Sequence, residues 1–224
     1  MRKVWFLFVI LVLFRTGLYA GNPPDPNWPK NSISFNLVTP FDLNFPRFRL
    51  GYTNFFSDHW SHSIQVGFGS HMIFPDSTFY YNHPLEDNYK LWEIRSEGRY
   101  YVSGMREHVM PYVGLDIFYI HHTQTMHNSS FIATNGTEWT YGTADYLRRK
   151  AGFNIIGGAV FRMNRILAIE TYGGVGVRMR NNSYYNVESL TPGEKWFESL
   201  NYYYKEGVHW TYNLTCGVRI SFMF

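Results

Sequence analysis

Three histidines lie close together in the segment IHHTQTMH, residues 120–127, and imidazoles at such spacing can bind a metal ion. Zinc sites combine histidine with cysteine or carboxylate ligands at characteristic spacings. Neither residue type accompanies His121, His122 and His127 in this segment. We therefore expect no metal ion and no other cofactor, and we expect these side chains to lie in solvent at the base of a loop.

A hydroxyl group beside an imidazole is the second chemistry that this segment offers. His121 and Thr123 are two residues apart, so both side chains share one face if the segment is a strand. A nucleophilic hydroxyl needs such a base, and the base needs an acid that orients it. The parity of the strand around Glu170 turns that carboxylate to the opposite face. His121 and Thr123 are the catalytic candidates, and the lack of an orienting acid favours a protein that is not an enzyme.

Charged residues alternate with apolar residues elsewhere, which is the period-two pattern of β-strands. The segment LWEIRSEGRYYV, residues 91–102, puts Glu93, Arg95, Glu97 and Arg99 on one face and apolar side chains on the other. The charged faces of other segments add the following residues: Asp116, Glu170 and Arg219, and also Arg47, Arg49, Lys150, Arg162, Arg178 and Arg180. Cations outnumber carboxylates on this combined face.

Eight segments with this pattern are predicted to be strands. They span residues 32–38, 46–56, 61–72, 89–103, 108–121, 149–163, 165–180 and 208–224. Short turns join the second to the third, the fourth to the fifth and the sixth to the seventh. The connection TPFDLN and three long loops, residues 73–88, 122–149 and 181–207, lie at the other end. An even number of antiparallel strands with short turns at one end and long loops at the other predicts an all-β, up-and-down transmembrane β-barrel.

Alternation alone does not tell which face is inside, because a lipocalin-like soluble barrel has an apolar interior and a polar exterior. Glycine favours one answer. Most strand glycines, among them Gly67, Gly114, Gly158 and Gly217, share the charged face. Glycine weakens a solvent-facing strand, whereas a lumen of eight strands is barely wide enough for its side chains. We therefore expect the charged, glycine-rich face inside and the apolar face in lipid.

The start of the chain predicts its export. Residues 1–20 combine Arg2 and Lys3 with an apolar run that is too short to span a bilayer, so we expect a cleaved signal peptide. Residues 21–31 are rich in proline and predict a short periplasmic tether before a barrel of residues 32–224. A single cysteine excludes an internal disulfide. The net charge of +3 gives no basis for nucleic-acid binding.

The last fourteen residues, TYNLTCGVRISFMF, carry a family resemblance together with the features above. The chain resembles the small eight-stranded outer-membrane barrels of Gram-negative bacteria, of the OmpA/OmpX type, without a periplasmic domain. In that family, a final strand that ends in Phe after alternating apolar residues is the signal read by the barrel-assembly machinery. The resemblance assigns this role to Tyr212, Phe222 and Phe224. It also implies a monomer in the bacterial outer membrane, surrounded by lipid and lipopolysaccharide.

The segment HHTQ, residues 121–124, is similar in spacing to the His-x-Ser-Asn motif of outer-membrane lipid A deacylases, which are also eight-stranded barrels. It departs from that motif at both diagnostic positions, with Thr123 for the serine and Gln124 for the asparagine. The resemblance therefore supports lipid A hydrolysis only as an alternative.

The inward charges have two interpretations. Pairing across the strands would plug the lumen, because an unpaired charge in a narrow core is costly. The cations nearest the long loops form a cationic mouth, and they could instead bind an anion such as a phosphate; these are Arg47, Arg49, Lys150, Arg178 and Arg180. We expect the plug, with the mouth solvated by water.

The function expected from the sequence is non-enzymatic. The long loops are rich in Tyr and Trp, and such rings suit contact surfaces, although they can also pack against one another. We expect a role in envelope integrity or in surface recognition through these loops, with an unidentified extracellular ligand. A lipid A hydrolase and a narrow pore are the alternatives.

Overall fold

The computed structural model describes residues 29–42, 45–70, 87–105, 108–192 and 205–224. The predicted signal peptide, most of the tether and most of the first long loop lie outside these residues. So does the segment 193–204 of the last long loop.

The described part of the chain contains nine strands and one short 3₁₀ helix. The strands are β1 Asn31–Asn36, β2 Phe48–Phe55, β3 Trp60–Ser70, β4 Lys90–Tyr101, β5 Val109–Ile132, β6 Glu138–Arg162, β7 Leu167–Glu188, β8 Thr191–Pro192 and β9 Gly207–Met223. The helix spans Thr39–Phe41 and lies between β1 and β2. No helix among the described residues is long and apolar enough to cross a membrane.

Eight of these strands close into a ring, each one antiparallel to its neighbours. Neighbours in sequence pair from β1 to β7, and β9 pairs with both β7 and β1. The closing pairs run from Ser32 with Met223 to Asn36 with Arg219. The prediction of an all-β, eight-stranded, antiparallel up-and-down barrel is confirmed. The two-residue β8 pairs with β6, outside the ring.

Side chains alternate between the interior and the exterior of the ring along every long strand. In β4 the pattern of burial is strictly two-fold through residues 90–97: Glu93, Arg95 and Glu97 are buried, and Trp92, Ile94 and Ser96 between them are exposed. The apolar side chains of the outer face are extensively exposed, for example Ile155 at 64% and Leu214 at 81%. The ring therefore encloses its charges and presents its apolar residues outward.

Glycines on the inner face leave room for large side chains of the neighbouring strands. The ring of Tyr112 crosses over Gly158, where an added Cβ would lie 2.8 Å from both Cζ and the hydroxyl oxygen of Tyr112. Tyr172 crosses over Gly217 in the same way. Gly157 faces outward, and an added Cβ there would meet only one atom, at 3.9 Å. Crowding inside thus explains why the glycines collect on the charged face.

The prediction of a second long loop at residues 122–149 is wrong. Strands β5 and β6 continue through it as a regular ladder to the pair Ile132 and Glu138 and are joined by a turn over residues 133–137. β7 also runs beyond its predicted end, to Glu188, and pairs with β6 over most of this length. The sequence predicted a loop because polar residues occupy both faces of this extension, so the period-two contrast fades.

A separate hydrophobic cluster holds this extended hairpin together. Met126, Phe131, Tyr141, Ala144 and Tyr146 are buried in it. Tyr184 of β7 stacks on Phe131 with ring centroids 4.4 Å apart. These aromatic side chains of the hairpin therefore pack against one another.

The first hairpin of the ring is much shorter than its neighbours. β1 has six residues and β2 has eight, whereas β9, on the other side of β1, has 17. The chain leaves the wall after Asn36, and the backbone N–H of Leu37 makes the last hydrogen bond to β9, at the carbonyl of Val218. In the described part of the chain, the wall therefore has a notch above the first hairpin, beside residues 208–217 of β9.

The crowding inside the ring predicts opposite effects for two adjacent glycines. Gly158→Ala forces a methyl group against the Tyr112 ring and the carbonyl of Thr171. We expect it to lower the free energy of unfolding by about 1–3 kcal/mol. Gly157→Ala should leave the free energy of unfolding unchanged or raise it slightly. Its added methyl group would point outward with almost no contacts, and alanine restricts the unfolded chain more than glycine does.

Urea unfolding in detergent micelles, followed by tryptophan fluorescence, measures both variants. Equal destabilisation, or a larger loss for Gly157→Ala, would mean that the inner and outer faces are assigned the wrong way round.

Candidate functional site

Two glutamates and two arginines form a closed group near the short-turn end of the lumen, which we call the lower network. Arg219 binds Glu97 at 2.9 Å and Glu170 at 2.7 Å, and Arg99 binds the same two carboxylates at 2.6 and 3.0 Å. All four side chains are at most 3% exposed. Each carboxylate therefore bridges both guanidinium groups, and the four charges cancel.

Neutral groups complete the hydrogen bonding of the lower network. Gln65 donates to Glu97 at 2.7 Å, and the hydroxyl of Tyr112 donates to Glu170 at 2.6 Å. The guanidinium of Arg219 also lies 4.0 Å from the centroid of the Tyr172 ring. Buried charges are tolerated when they are paired and hydrogen-bonded in this way.

A second group, the upper network, lies nearer to the long connections. The carboxylate of Glu93 accepts hydrogen bonds from Arg47, Arg49 and Arg95. Arg95 also binds Asp116 at 2.6 Å. Asp42, which follows the 3₁₀ helix, binds Arg47 at 2.9 Å. These three cations are therefore matched by three carboxylates.

A cavity of about 340 Å³ lies above the upper network, at the long-connection end of the lumen. We call it the cationic cavity. Among its lining residues are six cationic side chains, namely Arg47, Arg49 and Arg95 of the upper network and also Arg148, Lys150 and Arg178. Asp42 is the carboxylate that lines it within the described chain, and that group is bound to Arg47. Positive charge therefore exceeds negative charge at this end.

Two of these cations have only neutral contacts in the described part of the chain. The ammonium of Lys150 lies 4.1 Å from the centroid of the Phe45 ring, and the side chain is only 7% exposed. Arg178 donates to the hydroxyl of Thr211 at 3.0 Å and to the side-chain carbonyl of Asn213 at 3.4 Å. A cation–π contact recovers only part of the cost of removing an ammonium from water.

The mouth expected from the sequence differs from the cavity in two respects. Arg47, Arg49, Lys150 and Arg180 are at most 7% exposed, so the interior encloses them and water does not simply solvate them. Arg148 also lines the cavity, although the sequence analysis assigned it to a loop. Arg148 lies two residues before Lys150, so it shares the inner face of β6. A longer predicted β6 would have placed it in the lumen. Arg162 lies partly exposed at the short-turn end.

The three histidines of the segment 120–127 point in different directions. His122 is buried inside and contacts the side chain of Gln124 at 3.0 Å. His121 faces outward and stacks on Trp92 with centroids 5.6 Å apart, while His127 contacts Asp87 at 3.2 Å. No group of three or more potential metal ligands occurs among the described residues. His121 and Thr123 make no hydrogen bond with each other, so this structure does not assemble the predicted nucleophile and base.

A different histidine meets a hydroxyl on the outer face. The Nε2 atom of His62 in β3 lies 2.9 Å from the hydroxyl oxygen of Ser96 in β4. The sequence analysis missed this pair because it crosses two strands diagonally. The neighbouring carboxylate, Glu97, points inward and is bound by Arg99 and Arg219. The pair thus has the geometry of a base with a hydroxyl, while this acid is committed elsewhere.

The residues assigned to the assembly signal lie on the outer face of β9 or at its end. Tyr212 is 89% exposed, Phe222 is 52% exposed and Phe224 is 61% exposed. The backbone of Phe224 exchanges two hydrogen bonds with Asn31. The final strand thus closes the ring and keeps its aromatic side chains outside.

Comparisons with protein-family models, with curated proteins and with solved structures found no match to this chain.

Removal of one charge from the lower network should destabilise the barrel. Glu97→Gln keeps the shape of the side chain but leaves Arg99 and Arg219 with one carboxylate between them. We expect the free energy of unfolding to fall by about 3–5 kcal/mol, as for other broken buried ion pairs. Glu188→Gln makes the same chemical change at an exposed position near the end of β7 and should change it by less than about 0.5 kcal/mol.

Urea unfolding in micelles gives both values. A similar small effect for the two variants would show that the charges of the lower network are hydrated rather than enclosed.

Proposed function

We propose that this protein is a small β-barrel of the outer membrane of a Gram-negative bacterium, with a non-enzymatic role in envelope integrity or surface recognition. The extended β5–β6 hairpin would project outside the cell, and the short turns would face the periplasm. Lipid and lipopolysaccharide would surround the barrel, and the assembly machinery would act during its biogenesis.

The outward apolar belt is the observation that carries this proposal. The outer face between the two rims is built from Ile, Val, Leu and aromatic side chains, with exposures that a monomeric soluble protein rarely shows over a continuous surface. At the long-connection end Lys90 and Arg149 are exposed on this face, as are Trp92 and Trp210. Aromatic rings and cations of this kind mark the limit of the hydrocarbon layer in membrane proteins.

The hairpin beyond the barrel supports a surface role. β5 has 24 residues and β6 has 25, whereas a tilted strand needs only about 9–11 to cross a bilayer. The excess forms a structured projection with its own hydrophobic cluster of Phe131, Tyr141 and Tyr184. A pre-organised projection loses little conformational entropy when it binds a partner.

Two alternatives have weaker support. The contact of His62 with Ser96 favours a hydrolase of ester-linked lipids, because both side chains lie on the outer face. The commitment of Glu97 to arginines opposes it. A narrow pore is opposed by the lower network, whose ion pairs cross the lumen below the cationic cavity.

Incubation of the micelle-folded protein with lipopolysaccharide, and separately with phospholipid, distinguishes the hydrolase. We expect no release of fatty acid above the level of the Ser96→Ala and His121→Ala variants. A rate that either substitution abolishes would replace the proposed role by catalysis.

Topology in cells tests the proposed location. Thr134 lies in the turn between β5 and β6, and Arg165 lies in the turn between β6 and β7; both are exposed. In a Cys216→Ser background, a membrane-impermeant maleimide should label Thr134→Cys on intact cells and Arg165→Cys only after permeabilisation. The same reagent reaching both positions, or Arg165→Cys alone, in intact cells would contradict the proposed orientation.

A further inference from the structure

The notch beside β9 leaves one edge of that strand unpaired in the described part of the chain. The N–H and C=O groups of Phe224 bond to Asn31, and the C=O group of Val218 accepts from Leu37. Because backbone groups alternate in direction along an antiparallel strand, those of Cys216, Leu214 and Tyr212 point to the same side. Among the described residues no strand lies opposite them, since β1 ends at Asn36.

The position of the notch matters because of the proposed membrane location, on which this inference rests. Six residues of a strand tilted by about 45° rise roughly 14 Å, about half the thickness of a hydrocarbon core. The notch would therefore open within the outer leaflet. Unpaired backbone groups do not face hydrocarbon unless they line a polar cavity or meet a partner.

The cationic cavity lies directly behind this notch. Its lining includes Leu214, Thr215 and Cys216 of the unpaired edge and Val38 of the segment that leaves the wall. The same cavity is lined by Lys150 of β6 and by Arg178 of β7, the neighbour of β9. One space therefore joins an apolar opening at the edge of the wall to a buried cluster of positive charge.

The excess of positive charge in the cationic cavity favours the binding of an anion. Arg47, Arg148 and Arg178 lie close enough to repel the ammonium of Lys150, and Asp42 offsets part of this repulsion. That carboxylate is already bound to Arg47. An occupant with one or two negative charges would relieve the repulsion, and guanidinium groups bind phosphate oxygens with good geometry.

We propose that the cationic cavity binds the phosphate headgroup of an anionic lipid, which enters sideways through the notch and leaves its acyl chains in the membrane. Lys150 and Arg178 bind the phosphate oxygens. Val38, Leu214 and Cys216 contact the first part of the lipid chains. The backbone groups of the unpaired edge then face the polar headgroup and its water.

Native mass spectrometry of the intact protein in micelles tests this proposal with three probes. Phosphatidic acid and phosphatidylcholine with identical acyl chains differ only in the headgroup, so comparing them measures the contribution of headgroup charge to binding. Inorganic phosphate measures the binding of the phosphate without acyl chains. We expect one molecule of phosphatidic acid to bind at least about tenfold more tightly than phosphatidylcholine, a difference of about 1.4 kcal/mol. Inorganic phosphate should bind more weakly than the lipid.

Matched variants locate the site. Lys150→Gln and Arg178→Gln should each reduce the affinity for phosphatidic acid about tenfold. Lys90→Gln removes an exposed cation from the outer face and should leave the affinity unchanged. Resistance of each variant to unfolding in micelles shows that it is folded, and two cavity variants keep the test usable if one of them fails to fold.

Several results would overturn the inference. Equal binding of the two lipids would exclude a charged site, and an equal loss in Lys90→Gln would indicate binding to the general surface. Binding of inorganic phosphate without lipid preference would place the entrance at the aqueous end instead. A homodimer that competes with lipid would mean that a strand of a second copy occupies the notch.

The membrane location has a separate readout in the labelling of intact cells. A correct topology with no lipid preference would reject the lipid site alone, whereas a wrong topology would reject the proposed function.

Discussion

Charge neutralisation inside a narrow ring is the constraint on which the rest of this structure depends. Glu97 and Glu170 each bind both Arg99 and Arg219, so four ions that would be costly singly are stable together. This arrangement requires strands β4, β7 and β9 to keep one register, because a shift by one residue would turn the charges outward. The lower network thus links the stability of the barrel to the identity of its inner face.

The upper half of the lumen follows a different rule. The upper network is neutral because Asp42, Glu93 and Asp116 match its three arginines. Above it, Lys150 and Arg178 contact only neutral side chains among the described residues. At the same level the first hairpin ends, and within the described residues the wall is open beside β9. Excess charge and an incomplete wall therefore coincide, and both features connect the interior of the barrel to its surroundings.

Much of the ring could be predicted from local pattern. The contrast between charged and apolar positions in residues 91–102 assigned the two faces of β4, and the glycines identified the crowded side. The pairing of Glu97 with Arg219 could not be predicted, because it depends on ring closure between residues far apart in sequence. The same holds for the contact of His62 with Ser96, which depends on the register of two strands.

The extension of β5 and β6 could not be predicted from the sequence, for a related reason. Polar residues occupy both faces of this extension, so the contrast between alternate positions that marks a strand is weak. What stabilises the extension is the packing of Phe131 and Tyr141 on Tyr184 of the next strand. That contact joins residues far apart in sequence. Because the predicted β6 was too short, the sequence analysis did not place Arg148 in the lumen.

Collision accessibility of nitroxide labels on β5 tests the orientation of the wall most directly. Val113, Leu115 and Ile117 are exposed on the outer face, and each can be replaced by a labelled cysteine in a Cys216→Ser background after reconstitution into bilayers. We expect high accessibility to oxygen and low accessibility to a water-soluble nickel chelate at all three positions. Ready access of the chelate to Leu115 would show that this face meets water, and the assignment of inside and outside would be reversed.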